Sequence, residues 1–385
     1  MIRLCLALSL LIAALPSTAE QLSRQNAIRV QKAHQLSQEG QLSQAIENLR
    51  QIETGKKYDK AFIARMLGVF YWQNEQIDPA ISQLKIAVES GQLKDDTAWV
   101  TERMLADLYL TQQSFENALT HYYALQKRAA PVSEKKHDLW FRIAQAHYQL
   151  EQWREVIPAT QHYLALKPDN LINPLSLKLG AQLQLKQWKG AIPTLKQLID
   201  LNPEKLSWWR QLAGLYMQVE NHRAALDTLA LAKLNGLPLS QQDRRLLAQL
   251  YAKRGIPERA ALEISELKAA TSDITLLAEQ AGYWQMAKEW QKSLQHWQLA
   301  AELDAKYHWQ AAQILLQQRN YQQALTTLNK VEGRQQQVAL AKVRALFKLG
   351  ELEKALIQAK NANAMKPSKQ AMDWITYLSQ LRSAS

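Results

Sequence analysis

The chain has 385 residues, 47% hydrophobic and 21% charged, with a formal net charge of +12. That apolar content suffices for a sizeable core and excludes wholesale disorder, while scarce Gly and Pro beside abundant Ala, Leu and Gln favour helix. The basic excess is spread along the chain without a basic cluster, so nucleic acid is not expected. An acidic protein segment or an anionic membrane surface suits it better.

The first residues read MIRLCLALSLLIAALPSTAEQ. Arg3 supplies a positive start, Leu4 to Leu15 an apolar run, Pro16 a break, and Ser17 and Ala19 small residues before a cleavage point. This predicts a secretory signal over 1–19, removed after Ala19. The alternative is an uncleaved anchor, but the apolar run is about 12 residues against the roughly 20 a span needs. Cys5 is the only cysteine. It lies inside the apolar run without the small residues that precede a lipid-bearing cysteine, so the mature chain is expected to lack disulfides, thiolate metal sites and a cysteine nucleophile. Export, most simply to a bacterial periplasm, follows, and no later stretch is expected to span a membrane.

From here on, large and small residues recur in one order. Counting Leu206 as position 1 of LSWWRQLAGLYMQVENHRAALDTLAL, Trp209 is at 4, Leu212-Ala213 at 7 and 8, Tyr216 at 11, Ala225 at 20 and Leu229 at 24. In chain order, a degenerate first unit carries Ala33, Leu42 and Ala45. Ala61–Gly91 then places Leu67-Gly68, Tyr71, Ala80, Leu84 and Ala87. Trp99–Ala130 places Leu105-Ala106, Tyr109, Phe115, Ala118 and Tyr122. His137–Asn170 places Trp140, Ile143-Ala144, Trp153, Tyr163 and Pro168, with Val156 replacing the small residue at 20. The next unit, Leu179-Gly180 to Ala191, is one residue short and predicts a tighter turn. Gln241–Ala269 gives Leu247-Ala248, Tyr251 and Ala260. A second degenerate unit holds Ala281, Trp284, Trp290 and Ser293, and later units centre on Ala324 and Ala355. A last helix over about Ser368 to Leu381, with Trp374 and Leu378, is expected to cap the row.

The residues at position 20 recur about every 34 residues. Each unit reads as two antiparallel helices with one apolar face each. Small residues at 8 and 20 permit close approach, bulky ones at 4, 7, 11 and 24 fill the groove beside it, and Pro168, Pro203 and Pro367 stop second helices. The order in the quoted stretch is therefore mainly packing, with Trp209, Tyr216 and Ala225 in the core and Trp208 unassigned. This pattern resembles the tetratricopeptide repeat over about Arg24 to Pro367. The resemblance implies an all-α, right-handed α-solenoid of about ten helix pairs with a C-terminal capping helix, read as a single domain over 24–385. The gaps at Ser90–Ala98 and Ala129–Lys136 read as loops between units.

No phosphate-binding glycine loop, HExxH or GxSxG motif occurs, so no catalytic residue, metal ligand or cofactor is assigned and an enzyme is not expected. His137 and His147 lie about 15 Å apart along one helix, too far for one metal. His162 on the next helix is the only candidate to approach His147. Asp95-Asp96 reads as a loop or cap and Glu151 as a turn. In this repeat family positions 2, 5, 9 and 12 of the first helix line the concave face. Position 5 is Arg65, Arg103, Arg210 and Arg245, and Arg142 lies beside position 5 of another unit. Position 12 adds Trp72, Tyr148 and Met217. Two readings stay open. These residues form a groove in which arginines clamp a partner's carboxylates and aromatics take its apolar side chains, or the arginines pair with nearby Asp and Glu.

Four stretches, YDKAFIARMLGVFY (Tyr58–Tyr71), NPLSLKLGAQLQLKQWKGAIPTL (Asn173–Leu195), SWWRQLAGLYMQVENHRAALDTL (Ser207–Leu229) and LAQLYAKRGIPERAALEI (Leu247–Ile264), are similar to the exported tetratricopeptide proteins encoded with TonB, ExbB and ExbD components. That resemblance implies a periplasmic interaction scaffold beside an energy-transduction complex for outer-membrane transport, with an envelope-protein segment as partner. The alternatives are an adaptor for outer-membrane assembly, cytochrome maturation or cell-wall synthesis, and a carbohydrate-binding or enzymatic role for the tryptophans. The last fits poorly, because most tryptophans fall at or beside packing positions.

Overall fold

The computed structural model describes residues 21–131 and 137–384. The expected leader, with Cys5, lies outside the described residues. Those described form helices, with one short 3-10 turn (Ala305–Tyr307) and no strand. The chain makes two compact units that divide between Gln187 and Trp188. The first holds α1 (Arg24–Gln38), α2 (Leu42–Arg50), α3 (Lys57–Gln73), α4 (Ile77–Glu89), α5 (Asp95–Thr111), α6 (Phe115–Gln126), α7 (His137–Gln149), α8 (Trp153–Ala165) and α9 (Ile172–Gln184). The second holds α10 (Trp188–Leu201), α11 (Leu206–Gln218), α12 (His222–Leu234), α13 (Gln241–Lys253), α14 (Pro257–Ser265), α15 (Ile274–Met286) and α16 (Trp290–Leu303). It continues through α17 (His308–Gln317), α18 (Tyr321–Leu328), α19 (Gln335–Lys348), α20 (Leu352–Met365) and α21 (Lys369–Ala384). Within each unit an odd-numbered helix A packs on the following helix B and each B on the next A, α1 with α2 through α8 with α9 in the first and α10 with α11 through α20 with α21 in the second. This is the all-α, tetratricopeptide-like solenoid arrangement that the spacing predicts.

The A–B crossing sits where positions 8 and 20 meet. Ala33 with Ala45, Ala106 with Ala118, Ala144 with Val156, Ala248 with Ala260 and Ala312 with Ala324 are all inaccessible to solvent. Two pairs show the closeness directly. A Cβ on Gly68 would lie 2.5 Å from Leu84 Cγ and 3.3 Å from the Ala80 carbonyl. In the degenerate unit, Ser293 donates its hydroxyl to the Ala281 carbonyl at 2.9 Å, so the serine fills position 20 without an orphaned polar group.

The turn between A and B is the same in ten pairs. Position 15 adopts positive φ at Gly40, Glu75, Gln113, Glu151, Lys186, Glu220, Gly255, Lys288, Arg319 and Gly350. The position 16 N–H then bonds back to the position 11 carbonyl, as in Gln76 to Tyr71 (2.9 Å), Asn221 to Tyr216 (2.8 Å) and Glu351 to Leu346 (2.9 Å). This closure satisfies end-of-helix carbonyls and reverses the chain. Side chains other than glycine cost about 1–2 kcal/mol in that conformation.

The short unit corrects one expectation. Lys186 (φ 55°) and the 2.8 Å bond from Gln187 N–H to the Gln182 carbonyl make the ordinary turn, not a tighter one. Counting back from Lys186 places Leu179 at position 8 and Gly180 at 9. There a Cβ would lie 2.7 Å from the Tyr148 hydroxyl, so Gly180 makes room for a ring of the preceding A helix.

The two tryptophans of α11 are both buried. Trp209 donates its indole N–H to the Pro203 carbonyl at 2.8 Å. Trp208, which the repeat pattern leaves unassigned, lies with its ring centroid 4.3 Å from Lys205 Nζ. At the end of the second unit, α21 buries Ala371 and Leu378 while Met372 and Tyr377 stay exposed, as a cap requires.

Gly350→Ala should destabilise the second unit by about 1–2 kcal/mol, because alanine resists the left-handed turn. Glu220→Gly at the equivalent turn should raise stability by up to about 1 kcal/mol. Gly68→Ala should cost about 1–3 kcal/mol through overpacking on the fully buried Leu84. Urea denaturation of the three variants checks both the signs and the order.

Candidate functional site

Position 5 of an A helix faces the next A helix, so its side chain can reach one repeat ahead. Arg210 on α11 does so. Its Nε lies 2.9 Å from both carboxylate oxygens of Asp243 on α13, and its Nη2 lies 2.6 Å from Oδ2. Asp243 also accepts the Ser240 N–H and hydroxyl at 2.8 and 2.7 Å, which fixes it at the start of α13. Arg245 on α13 pairs in the same manner with Glu279 on α15, its Nε at 3.1 Å from each carboxylate oxygen and its Nη2 bonded to Oε1. Those bonds raise the Arg245 pKa further.

The first unit holds a looser network. Arg103 on α5 lies 3.9 Å from Asp138 on α7 and 3.8 Å from Asp107 in its own helix. Arg142 on α7 lies 3.9 Å from Asp107. The Tyr122 hydroxyl donates to Asp107 at 2.5 Å. Burial first, and the Asp107 charge second, push that phenol well above its ordinary value. Between α1 and α3 the rung is Asp59, fully buried, which accepts from Ser23 Oγ (2.6 Å) and Asn26 Nδ2 (2.7 Å).

Arg103, Arg142, Arg210 and Arg245 thus have carboxylate partners within the chain, and each of the four has a partner on a neighbouring A helix. The pairing reading left open by the sequence describes these four. Their partners were visible as acids one repeat downstream: Asp138 follows Arg103, Asp243 follows Arg210, and Glu279 follows Arg245 by 33–35 residues. Substituting Arg103 and Arg210 therefore perturbs packing as well as any partner, because Arg210→Ala leaves Asp243 without its main counter-charge.

Arg65 differs. At position 3 of the next A helix, where α13 supplies Asp243, α5 supplies Thr101, which accepts from Arg65 Nε at 3.1 Å. Arg65 Nη1 reaches only Met66 Sδ at 3.7 Å, and the guanidinium lies 6.0 Å from the Phe62 ring centroid. Among the described residues no carboxylate comes within 4.0 Å of it. Burial lowers its pKa. Glu102, next to Thr101, is turned the other way, to His121 Nδ1 (3.2 Å) and Arg128 Nη1 (2.6 Å). Tyr58, Phe62, Arg65, Val69 and Trp72 follow one another at spacings of three and four along one face of α3, and all remain at least partly exposed.

The three position 12 residues have separate fates. Trp72 is exposed, at 47%. Tyr148 packs edge-on to Trp153 with centroids 5.0 Å apart and covers Gly180, so it belongs to the packing. Met217 is half-buried. The histidines also take separate places. Buried His147 bonds to the Tyr123 hydroxyl (2.7 Å) and Gln152 Oε1 (2.6 Å), and His162 stacks on Trp140 at 4.4 Å. Among the described residues no group of three His, Cys, Asp or Glu side chains could hold a metal, and no helix is long and apolar enough to cross a membrane.

No protein-family model and no curated protein matches the chain. Among solved structures it is similar to a tetratricopeptide repeat protein from Parabacteroides merdae (13% identity, 68% of this chain and 99% of that one, TM-score 0.38). It is also similar to a MamA fragment from Desulfovibrio magneticus (15% identity, 46% and 94%, TM-score 0.35). YrrB, a tetratricopeptide protein with an unusual peptide-binding site, gives 17% identity, 55% and 97% coverage and a TM-score of 0.38. At such low identity and TM-score, the fold assignment rests on the repeated crossing and turn described above.

The pKa of Asp243 is set by two opposing effects. Burial raises it, and the bonds from Arg210 and Ser240 more than offset this and hold the carboxyl below its ordinary value. Asp59 behaves likewise, with Ser23 and Asn26 outweighing burial. In both, the unfolded chain takes up the proton first as pH falls. Their stabilisation is therefore complete above about pH 4 and lost as pH drops through the lower native values. Acid unfolding should show that loss, and Asp243→Asn should reduce stability at pH 7 by about 1–3 kcal/mol and flatten the acid limb.

Proposed function

We propose that this chain is an exported protein–protein interaction scaffold that binds a segment of an envelope protein on its A-helix face. The observation that carries this is the α3 stripe from Tyr58 to Trp72. Trp72 is exposed there and Arg65, Phe62 and Val69 stay partly accessible, on a helix whose opposite face is locked by Gly68 against Ala80 and Leu84. A rigid, preformed surface of that kind binds an extended chain with little ordering of its own. Export is supported by the leader-like residues 1–19. A place beside TonB, ExbB and ExbD components, in energy transduction for outer-membrane transport, is supported by the four resembling stretches, all of which include A-helix residues, of α3, α9, α11 and α13.

Photo-crosslinking in intact cells of the source organism tests this. A crosslinking residue at Trp72 should capture TonB, ExbB or ExbD homologues. One at Ile86, exposed on the B helix α4, should not. Reproducible capture of a different envelope protein at Trp72 would remove the energy-transduction assignment and favour an adaptor for assembly, cytochrome maturation or cell-wall synthesis. Equal capture at both positions, or none, would remove the A-helix face as the binding surface.

A further inference from the structure

We infer that Arg65 is an open rung that a partner's carboxylate completes, with the partner's next large apolar side chain seated on Val69 and Trp72. The inference rests on the scaffold reading above and adds the chemistry of the segment bound. At three other A-to-A contacts an arginine at position 5 meets a carboxylate: Arg103 with Asp138, Arg210 with Asp243 and Arg245 with Glu279. At the fourth, Thr101 offers one neutral oxygen to Nε. The guanidinium has five N–H donors and a fork that matches a carboxylate. A partly buried cation with a hydroxyl, a thioether and a ring as neighbours favours an incoming anion more than the neutralised arginines do, since at those an anion must displace an internal carboxylate.

The occupant's spacing follows from α3 itself. Arg65 and Trp72 are seven residues apart, about 10 Å along the axis. An extended peptide in the polyproline II conformation rises about 3.1 Å per residue with about three residues per turn, so the apolar side chain that shares the acid's face lies three residues from it. Tyr58 and Phe62, with ring centroids 6.2 Å apart, continue the apolar surface on the other side of Arg65. The segment that fits is an extended acid-x-x-apolar sequence, in which the apolar residue is aromatic or a large aliphatic.

A random nonapeptide library displayed on phage, selected on the full chain, reads this directly, with fluorescence anisotropy of the enriched peptides giving affinities. The expected result is enrichment of Asp or Glu followed at the third residue by Phe, Trp, Leu or Ile. Arg65→Ala should weaken those peptides about tenfold or more, and Arg65→Lys should weaken them less. Arg65→Glu should replace the acid by Lys or Arg in the selected sequences. Trp72→Ala, an exposed position whose loss leaves the core intact, should erase the apolar preference and keep the acidic one. If Arg65→Ala and Arg65→Glu leave affinities unchanged while Trp72→Ala still weakens them, the open-rung assignment is wrong and the scaffold reading stands. If the wild-type chain enriches no peptide, both fall.

Discussion

Close approach of two helices at one small-residue contact governs everything else in this molecule. Where position 8 meets position 20, most pairs use alanine, glycine or a serine that bonds to the facing carbonyl, as Gly68 against Ala80 and Ser293 against Ala281 show, with Val156 and Leu179 among the larger exceptions. That contact fixes the A–B angle, and the turn must then deliver the chain from one helix to the other in a set number of residues. The left-handed residue at position 15 performs that reversal in ten pairs, seven of them with a side chain that resists it. Tertiary packing outweighs the local preference there, since the cost of about 1–2 kcal/mol per turn is smaller than the burial each pair gains by closing.

With the pair geometry fixed, successive A helices stand side by side and their facing polar side chains must be reconciled. The answer is a set of rungs: Asp59 with Ser23 and Asn26, Arg103 with Asp138, Arg210 with Asp243, Arg245 with Glu279. Exposed ion pairs contribute little, but a forked pair with one end shielded, such as Arg210 with Asp243, contributes more and penalises slippage between repeats. The same face therefore has two uses that compete: an arginine engaged with its neighbour holds the stack, and an arginine left open is available to something else.

Much of the architecture was legible because packing leaves a periodic signature. Ala225, Trp209 and Tyr216 are placed by spacing alone, and the degenerate unit at Ala281 and Ser293 was found by its register. The turn was hidden because its conformation is imposed by the pair, so Glu75, Lys186 and Arg319 carry no glycine signal. The slip at Gly180 came from treating a small residue as the crossing residue, when its smallness instead admits the Tyr148 ring from the preceding A helix. At the candidate site the arginines were legible, and their engagement was not, because single positions do not reveal which neighbour is within reach. The acids one repeat on were present in the sequence, and only side-by-side helices give that separation a meaning.

The contrast between Arg65 and its counterparts has a simple physical root. The arginine stands at the same position in these repeats while the acid that reaches it varies in place (Asp138 at 2, Asp243 at 3, Glu279 at 6), so a repeat that brings no acid within reach leaves that arginine without a carboxylate. Thr101 is too short and too neutral to replace a carboxylate, and its hydroxyl also donates to the Thr97 carbonyl at 2.6 Å. Glu102, one residue on, is carried by the helical rotation to the other side, where it serves His121 and Arg128. The acid is thus near in sequence and unavailable in space. Specificity in such a surface comes less from a large contact area than from the few groups that the fold leaves incompletely paired, because only there does an incoming group gain an interaction without breaking one.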